Sequence, residues 1–377
     1  MNGYIDRLVA SSILEAHRYF PVIEITGPRQ SGKSTLCRHL FPDYTYTNLE
    51  DISIRTEAMR NPVGFLDSLG ENAIIDEVQN VPDIVSMIQV RVDEYKNRKY
   101  IITGSSNFSL LRTKSQSLAG RVAIFTLLPF SLIETKSIMA DKSTDNIIID
   151  GLYPRVIAQD TPIELYYSGY YNTYVERDLR DLLQIKNLMA FDNFMRLLAA
   201  RIGSEFNASA IAREAGVSSV TVKEWMSILM TSCIAFPLMP YYKNLSKRLT
   251  KMPKIYFYDT GLACFLLGIK NEEMLKTHQM RGPLFENLAI CELFKRKFNE
   301  GKDPRLFFYR EKSGLEVDVV SEESGGLHLY EIKSGETIRP EAYENINILK
   351  RTLSNVQSST IIFDGATIGS VINIRDI

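Results

Sequence analysis

The sequence contains few cysteines, and they do not form a pattern that binds a metal or builds a disulfide framework. Its 377 residues include four, Cys37, Cys233, Cys264 and Cys291, which lie far apart and form no C-x-x-C pair. Structural zinc sites and disulfide-rich domains need closely spaced cysteines. The sequence therefore disfavours both, and it indicates a reducing, cytoplasmic location.

Long apolar runs and a large net charge are also lacking. No run of about 18 apolar residues occurs, which is the length a helix needs to cross a bilayer, so we expect no membrane contact. Asp6 and Arg7 interrupt the apolar residues near the start, where a signal peptide has its apolar core. The formal net charge is −1, so any binding of nucleic acid requires a local basic patch.

A glycine-rich loop is the strongest motif present. Residues 27–35 read G-P-R-Q-S-G-K-S-T and fit the pattern G-x-x-x-x-G-K-[ST] of phosphate-binding loops. An apolar, β-branched stretch precedes the loop and a helix-like stretch follows it, so backbone N–H groups at the helix start converge on phosphate oxygens. The residues expected to bind the nucleotide are Gly27, Pro28, Arg29, Gln30, Ser31, Gly32, Lys33, Ser34 and Thr35.

This motif and the acids downstream of it predict ATP and Mg²⁺ as cofactors. We expect Lys33 to reach the β- and γ-phosphates and the Ser34 hydroxyl to bind Mg²⁺. Residues 73–75 form an apolar strand that ends in Asp76 and Glu77. Asp76 is expected to hold the Mg²⁺ shell, and Glu77 to orient and deprotonate the attacking water. The alternative is that the two acids only mark an ordinary strand end.

Two further positions are candidates for contact with the γ-phosphate. Ser105, or in its place Ser106 or Asn107, follows the predicted strand at 100–103, and ligands gather at the carboxyl ends of parallel strands. The alternative for Ser105 is an ordinary turn. Arg121 is a candidate for stabilising charge on the γ-phosphate, within one subunit or across the interface of a homo-oligomer. The alternative for Arg121 is a solvated surface side chain.

The N-terminal third alternates apolar strands with helical segments, which predicts a parallel sheet with both faces covered. Other users of phosphate loops or nucleotides are disfavoured. The chain has no N-K-x-D pattern to read guanine, and it has neither a kinase-type glycine loop nor an H-R-D pattern.

Further motifs accompany the loop along the chain. Together with residues 27–35 they are Asn48–Asp51, Ile75–Gln79, Thr103–Ser106, Leu118–Arg121 and Leu128–Ser131. This set resembles a known family, the prokaryotic AAA-type ATPases with a DUF4143 C-terminal half. The resemblance covers almost the whole chain, and it implies an ATPase fold with ATP as ligand but little about biological role.

The middle of the chain carries a helix–turn–helix pattern at residues 207–225. Gly216 is expected to make the turn, Ser218 or Ser219 to cap the second helix, and two later strands with a basic tip to form a wing. The hypothesis is that the wing binds duplex DNA through Lys243, Lys247, Arg248 and Lys251. The alternative is a lid or a surface that docks a partner.

The C-terminal part carries four charged residues on predicted helix and strand segments. They are Glu286 on a predicted helix, Asp318 on a strand, and Glu331 and Lys333 in an E-x-K pattern on the next strand. This arrangement resembles the PD-(D/E)xK nuclease superfamily. Period-two alternation places Glu331 and Lys333 on one face. We expect Glu286, Asp318 and Glu331 to bind Mg²⁺ and Lys333 to orient water or stabilise developing charge. The alternative is a charged strand edge.

These observations predict an α/β protein of three parts. They are a P-loop NTPase domain with a parallel sheet at 1–150, a helical region with a winged helix at 151–270, and a small nuclease-like α/β domain at 271–377. The predicted function is Mg²⁺-dependent ATP hydrolysis, associated with DNA through the winged helix and the C-terminal domain. The alternative is an ATP-controlled switch with an inactive nuclease-like fold. An ATPase of mobile elements or defence that acts with another subunit also fits the sequence.

Overall fold

The N-terminal part folds around a five-stranded sheet in which every pairing is parallel, in the order β2-β3-β4-β1-β5. The computed structural model describes residues 3–104, 118–159, 161–173, 187–242 and 252–377. The strands are β1 (Val22–Thr26), β2 (Thr45–Asn48), β3 (Asn72–Asp76), β4 (Lys99–Thr103) and β5 (Val122–Thr126). The helices are α1 (Val9–His17), α2 (Lys33–Leu40), α3 (Ile52–Arg60), α4 (Pro62–Ser68) and α5 (Asp83–Glu94), with a 3₁₀ turn at Val78–Asn80.

Alternation along the strands gives this sheet two apolar faces. Ile74 and Ile101 pack with α1 and α2 on one face. Ile75 and Ile102 pack with α3, α4 and α5 on the other. Successive side chains of a strand point to opposite faces, so a strand that is apolar throughout is buried on both sides. The predicted parallel sheet with two covered faces is confirmed.

The rest of the described chain is built on a seven-stranded mixed sheet in the order β12-β11-β10-β9-β8-β6-β7. Its strands are β6 (Ala235–Pro240), β7 (Lys254–Phe257), β8 (Leu306–Arg310), β9 (Glu316–Glu323), β10 (Gly326–Lys333), β11 (Val356–Phe363) and β12 (Val371–Asn373). Its helices are α6 (Thr144–Asp150), α7 (Pro154–Gln159), α8 (Ile163–Tyr170), α9 (Leu188–Ala199), α10 (Ala208–Ala215), α11 (Ser219–Thr231), α12 (Thr260–Leu267), α13 (Glu272–Thr277), α14 (Arg281–Asn299) and α15 (Glu344–Thr352). Short 3₁₀ turns occur at Pro340–Tyr343 and Ile374–Asp376.

The helix–turn–helix pattern has the local geometry that the sequence predicts. Helices α10 and α11 are joined at Gly216, whose φ of +70° lies in the left-handed region. The Ser218 side chain caps α11 by accepting a hydrogen bond from the Thr221 N–H at 3.0 Å. Strands β6 and β7 follow as an antiparallel pair. The tip between them, with Lys243, Lys247, Arg248 and Lys251, lies outside the described residues.

The structure joins the two parts predicted at 151–270 and 271–377. Strand β6 pairs with β7 on one edge and with β8 on the other, where Met239 is opposite Phe307. One apolar core includes Phe257 from the first part and Phe285 and Phe308 from the second. A hairpin can be predicted from a short stretch of sequence. Strands β6 and β8 are separated by about 65 residues, so no short stretch of sequence indicates that they pair.

The boundary predicted at residue 150 also moves. Phe130, Ile147 and Ile148 pack in the core of the second sheet, so α6 belongs to the second unit. The fold therefore has two units. We call residues up to about 127 the N-terminal unit and residues from about 128 onward the second unit. Among the described residues, no helix is both long enough and apolar enough to cross a membrane.

Candidate nucleotide-binding site

The glycine loop lies at the carboxyl end of β1, and its first glycine is required by a close backbone approach. Gly27 has a φ of +143°, and a Cβ placed there would lie 2.1 Å from the carbonyl oxygen of Leu127 on the neighbouring strand connection. Gly32 has a φ of +94° and stands directly before α2. The close approach at Gly27 and the positive φ at both positions explain why the motif has glycine there.

The start of α2 leaves backbone donors for an anion. The helix begins at Lys33, and no side chain of the described residues caps its N-terminus. The first N–H groups of a helix need an acceptor, and they attract negative charge. The Ser31 hydroxyl oxygen is buried in the loop and has no hydrogen-bond partner among the described residues. These donors fit a phosphate group held in the loop.

Lys33 folds back onto its own loop. Its Nζ donates to the carbonyl oxygens of Gly27 at 3.1 Å and Pro28 at 2.9 Å, and the residue is only 5% exposed. Burial lowers the pKa of Lys33, while the nearby Glu77 and Asp76 carboxylates act in the opposite direction. The ammonium is thus held at the centre of the loop by weak neutral acceptors, which phosphate oxygens would outcompete.

Asp76 collects hydroxyl groups at the end of β3. Its Oδ2 accepts hydrogen bonds from Ser34 Oγ at 2.5 Å and from the Tyr46 hydroxyl at 2.8 Å. Its Oδ1 accepts from the Thr103 hydroxyl on β4. Ser34 and Asp76, predicted as the magnesium pair, are therefore in contact. Tyr46 and Thr103 were not predicted; both lie on strands beside β3, and Thr103 is the last residue of β4.

Glu77 follows Asp76 with an unusual backbone conformation. Its φ is +56°, in the left-handed region that costs energy for a residue with a side chain. Its N–H lies 3.4 Å from Thr103 Oγ1, and the Gln79 side-chain amide donates to its carboxylate. This conformation turns Glu77 toward the loop, and it lines the same cavity as Lys33 and Ser34.

This cavity measures about 660 Å³ and lies between the two units of the chain. Besides the loop it is lined by the N-terminal segment with Tyr4, Ile5 and Arg7, and by Phe130 and α7 of the second unit with Arg155. Its volume is within the range of small-molecule sites. Arg7 and Arg155 add two cations that the motif analysis missed, because only the packing of distant segments brings them to the loop.

The structure does not bring Arg121 to this cavity. The parallel register of β1 and β5 places Val122 opposite Val22, so Arg121 lies at the amino edge of the sheet. The loop follows the other end of strands that are five residues, or roughly 16 Å, long. Arg121 Nε instead donates to Asp93 at 2.6 Å. A contact with the nucleotide of its own chain is therefore wrong for this geometry, and action across subunits stays a prediction. Ser105 lies outside the described residues.

The residues of the nuclease-like pattern lie on adjoining elements of the second sheet. Strands β9 and β10 pair as an antiparallel hairpin, with Val319 opposite Tyr330. Asp318 Oδ2 accepts a hydrogen bond from the Ile332 N–H at 2.7 Å, and Lys333 Nζ donates to Glu331 Oε1 at 2.6 Å. Burial raises the pKa of Asp318 and of Glu331.

The carboxylates do not gather as the predicted metal ligands. In the parts of the chain that the structure describes, no group of three or more His, Cys, Asp or Glu side chains is placed to hold a metal ion. Glu286 is engaged by Tyr256 and lies 3.5 Å from Lys254, which also pairs with Glu316 at 2.6 Å. The buried Lys254 was not predicted, because nothing near it in sequence marks it as a partner of these acids.

The parallel sheet, the glycine loop and the acid pair together define a P-loop NTPase fold. Comparison with known families agrees: residues 19–136 match the AAA domain model, and residues 281–374 match DUF4143, a domain of unknown function. The chain thus contains one segment similar to an AAA domain and another similar to a DUF4143 domain. Residues 141–273 match DUF8612, another domain of unknown function. The three matches divide the chain near residues 140 and 277. The second sheet contains strands from both sides of the division near 277.

Two mycobacterial proteins are similar to this chain over most of its length. The uncharacterized protein Rv2008c of Mycobacterium tuberculosis is 29% identical over 336 residues, which cover 88% of this chain and 74% of that protein. The uncharacterized protein Mb2031c of Mycobacterium bovis matches to the same extent. Among solved structures, the Walker-type ATPase PABY2304 of Pyrococcus abyssi is 14% identical with a TM-score of 0.48, covering 70% of this chain and 96% of that one.

Proposed function

We propose that this protein binds ATP with Mg²⁺ at the glycine loop and hydrolyses it. The single observation that carries the proposal is the contact of Ser34 with Asp76, 2.5 Å apart, beside the cavity that Lys33, Ser34 and Glu77 line. A hydroxyl oxygen beside a carboxylate oxygen is the protein donor set that Mg²⁺ takes in nucleotide sites. The buried Ser31 hydroxyl and the uncapped start of α2 fit the phosphates.

Each side chain then has a defined task. Ser34 and Asp76 would hold Mg²⁺, which neutralises charge on the phosphates when it is bound. Lys33 binds phosphate oxygens in place of the Gly27 and Pro28 carbonyls. Glu77 orients the attacking water and accepts its proton. Arg155 supplies a further positive charge from the second unit.

The variant Glu77→Gln tests the assignment of the base. It keeps the size of the side chain and removes the proton acceptor, so we expect ATP binding to remain and turnover to fall about 100-fold or more. Glu71→Gln is the matched control, because Glu71 is exposed at the opposite end of β3 and pairs with Asn97. Turnover by Glu77→Gln at the wild-type rate would refute the role of Glu77.

A second proposed activity is metal-dependent cleavage of nucleic acid at the second sheet, where Asp318 and Glu331 would hold the metal as a pair, because Glu286 is engaged by Tyr256 and Lys254. Its support is that Glu331 is buried, and its Oε2 has no hydrogen-bond partner among the described residues, next to Asp318 and Lys333. Plasmid nicking with Mg²⁺ or Mn²⁺, lost in Asp318→Ala and in Lys333→Ala, would support cleavage. No cleavage by protein with intact ATPase activity would instead support the ATP-controlled switch with an inactive nuclease-like fold.

Duplex DNA binding through the wing stays a proposal supported by the basic sequence at its tip. Replacing Lys243, Lys247, Arg248 and Lys251 by Glu should abolish a salt-sensitive gel shift, since phosphate contacts depend on these charges. An unchanged shift would refute the proposal. A homo-oligomer in which Arg121 acts across subunits predicts a mixed complex, where an Arg121→Ala subunit lowers the activity of a wild-type partner.

A further inference from the structure

Arg7 connects the phosphate loop to the second unit. The residue is 6% exposed although it carries a guanidinium group. Its Nη1 donates to the Ser31 carbonyl oxygen of the loop at 2.9 Å, and its Nη2 donates to the Leu128 carbonyl oxygen at 2.7 Å. Leu128 begins residues 128–134, which we name the bridge segment because they link the N-terminal unit to the second unit.

Glu134, at the end of the bridge segment, fixes Arg7 from a third direction. Its buried Oε1 accepts from Arg7 Nε at 3.1 Å and from the Leu8 N–H at 2.8 Å. Its Oε2 accepts from the Ser131 N–H at 2.8 Å. The guanidinium carbon also lies 4.7 Å from the centre of the Phe130 ring. Only the planar fork of an arginine satisfies these directions together, and a lysine has no equivalent geometry.

A buried ion pair on α14 holds the bridge segment from its other side. Lys295 Nζ donates to the Phe130 carbonyl oxygen at 2.7 Å and to Glu292 Oε1 at 2.7 Å. Glu292 Oε2 accepts from the Leu132 N–H at 2.7 Å. Burial raises the pKa of Glu292, and Lys295 opposes that rise. Both backbone groups of the bridge segment are therefore bonded to one charged pair.

A buried ion pair contributes little net stability, because apolar residues of the same size often serve as well or better. What this pair supplies is fixed geometry: it positions two backbone groups of the bridge segment against α14. The same helix carries Glu286 one and a half turns earlier, at its N-terminal end. A continuous chain of hydrogen bonds thus runs from Ser31 in the loop, through Arg7 and the bridge segment, to α14.

We propose that this chain couples nucleotide binding at the loop to the conformation of α14 and of the sheet site that α14 borders. The proposal rests on the proposed binding of ATP. The element with two states is the loop, since Lys33 is bonded either to the Gly27 and Pro28 carbonyls, as in this structure, or to phosphate oxygens. A movement of Lys33 changes the conformation of the loop, which contains Ser31. Because Arg7 is bonded to the Ser31 carbonyl oxygen, it transmits that change to the bridge segment.

Hydrogen–deuterium exchange of the full chain tests the coupling. With a non-hydrolysable ATP analogue and Mg²⁺, amide exchange in residues 281–299 should slow about fivefold or more in the wild type, the lower range of allosteric coupling. The double variant Glu292→Gln/Lys295→Met breaks the bond to Phe130 without leaving a buried charge unpaired. It should bind the analogue as the wild type does but lose the slowing in residues 281–299.

Lys297→Met is the control on the same helix. It breaks a pair with Glu323, 2.6 Å long, that is more exposed and does not touch the bridge segment, so the slowing should persist. Arg7→Lys is a second disruption, which keeps the positive charge. It should also abolish the slower amide exchange of residues 281–299, and it tests the coupling if the double variant does not fold. Wild-type protein that binds the analogue with unchanged exchange at 281–299 would overturn the coupling, as would a full response in both disrupted variants. Wild-type protein that binds no analogue would overturn the proposed function as well.

Discussion

Tyr46 and Thr103 are the residues on which the position of Asp76 depends. They lie on the strands that flank β3, and each hydroxyl donates to one oxygen of the Asp76 carboxylate. Burial raises the pKa of the Tyr46 hydroxyl, with the charge on Asp76 adding to the rise, so Tyr46 remains a protonated donor near neutral pH. A carboxylate held this way keeps its lone pairs directed at Ser34 and at any ion beside it.

Removing either hydroxyl should weaken the use of Mg²⁺. Tyr46→Phe and Thr103→Val keep the size of each side chain, and loss of such outer partners typically costs 10–100-fold in metal affinity or activity. We therefore expect about tenfold more Mg²⁺ to be needed for half-maximal ATPase activity. Titration of activity with Mg²⁺ measures this effect. Thr45→Val, an exposed neighbour of Tyr46, is the control, and equal Mg²⁺ dependence in all three variants would contradict this role.

The part of the site that the sequence predicts is the part built from short local patterns. Lys33 and Ser34 begin the helix that follows the loop after β1, and Asp76 and Glu77 lie at the end of β3. The local order of strand, loop and helix therefore determines where they lie. Tyr46, Arg7 and Arg155 reach the site through packing between distant segments. Arg121 was predicted near the γ-phosphate but does not lie there. It precedes β5 and therefore lies at the amino edge of the sheet, whereas the loop lies at the carboxyl edge.

Strand β6 is the element that joins the middle of the chain to its C-terminal part. Its pairing with β8 places a hairpin, predicted as an independent wing, inside the second sheet. The sequence predicts the two strands of the wing and the strands that carry Asp318 and Glu331, since each has an apolar pattern of its own. Those patterns do not show which strands pair when they are far apart in sequence. The predicted domain boundary at residue 270 could therefore not be checked from the sequence.

This element arrangement predicts which fragments fold. A fragment of residues 271–377 loses β6 and β7, leaving the edge of β8 unpaired and the buried Phe285 and Phe308 exposed. Exposed edges and apolar faces promote aggregation, so we expect this fragment to be unfolded or aggregated by circular dichroism and gel filtration. The control fragment 128–377 should be folded and monomeric or uniformly assembled. Cooperative unfolding of 271–377 by itself would contradict the shared sheet.

The whole molecule places its nucleotide cavity between two units that have separate cores. Helix α7 of the second unit lines that cavity, so a nucleotide bound there would contact both units at once. The single tryptophan, Trp225, is buried in the core of the second unit and reports on the unfolding of that unit. A ligand held between two units should stabilise both of them.

We therefore expect ATP with Mg²⁺ to raise the unfolding temperature reported by Trp225. Ligand at 100 times its Kd stabilises by about 2.7 kcal/mol, which corresponds to roughly 5 °C or more for units of this size. Fluorescence excited where only tryptophan absorbs measures the shift, and Lys33→Ala serves as the control without a shift. A bound nucleotide that leaves the Trp225 transition unchanged would show that the second unit does not take part in the site.

The most direct test of the central claim is an equilibrium titration of the full chain with ATP and Mg²⁺, comparing the wild type with Lys33→Ala. Loss of charged hydrogen bonds worth about 1.5–3 kcal/mol predicts that Lys33→Ala binds about ten- to hundredfold more weakly, while the wild type shows saturable binding of one nucleotide per chain. Equal affinity of the two proteins, or no binding by either, would contradict a nucleotide held at this loop.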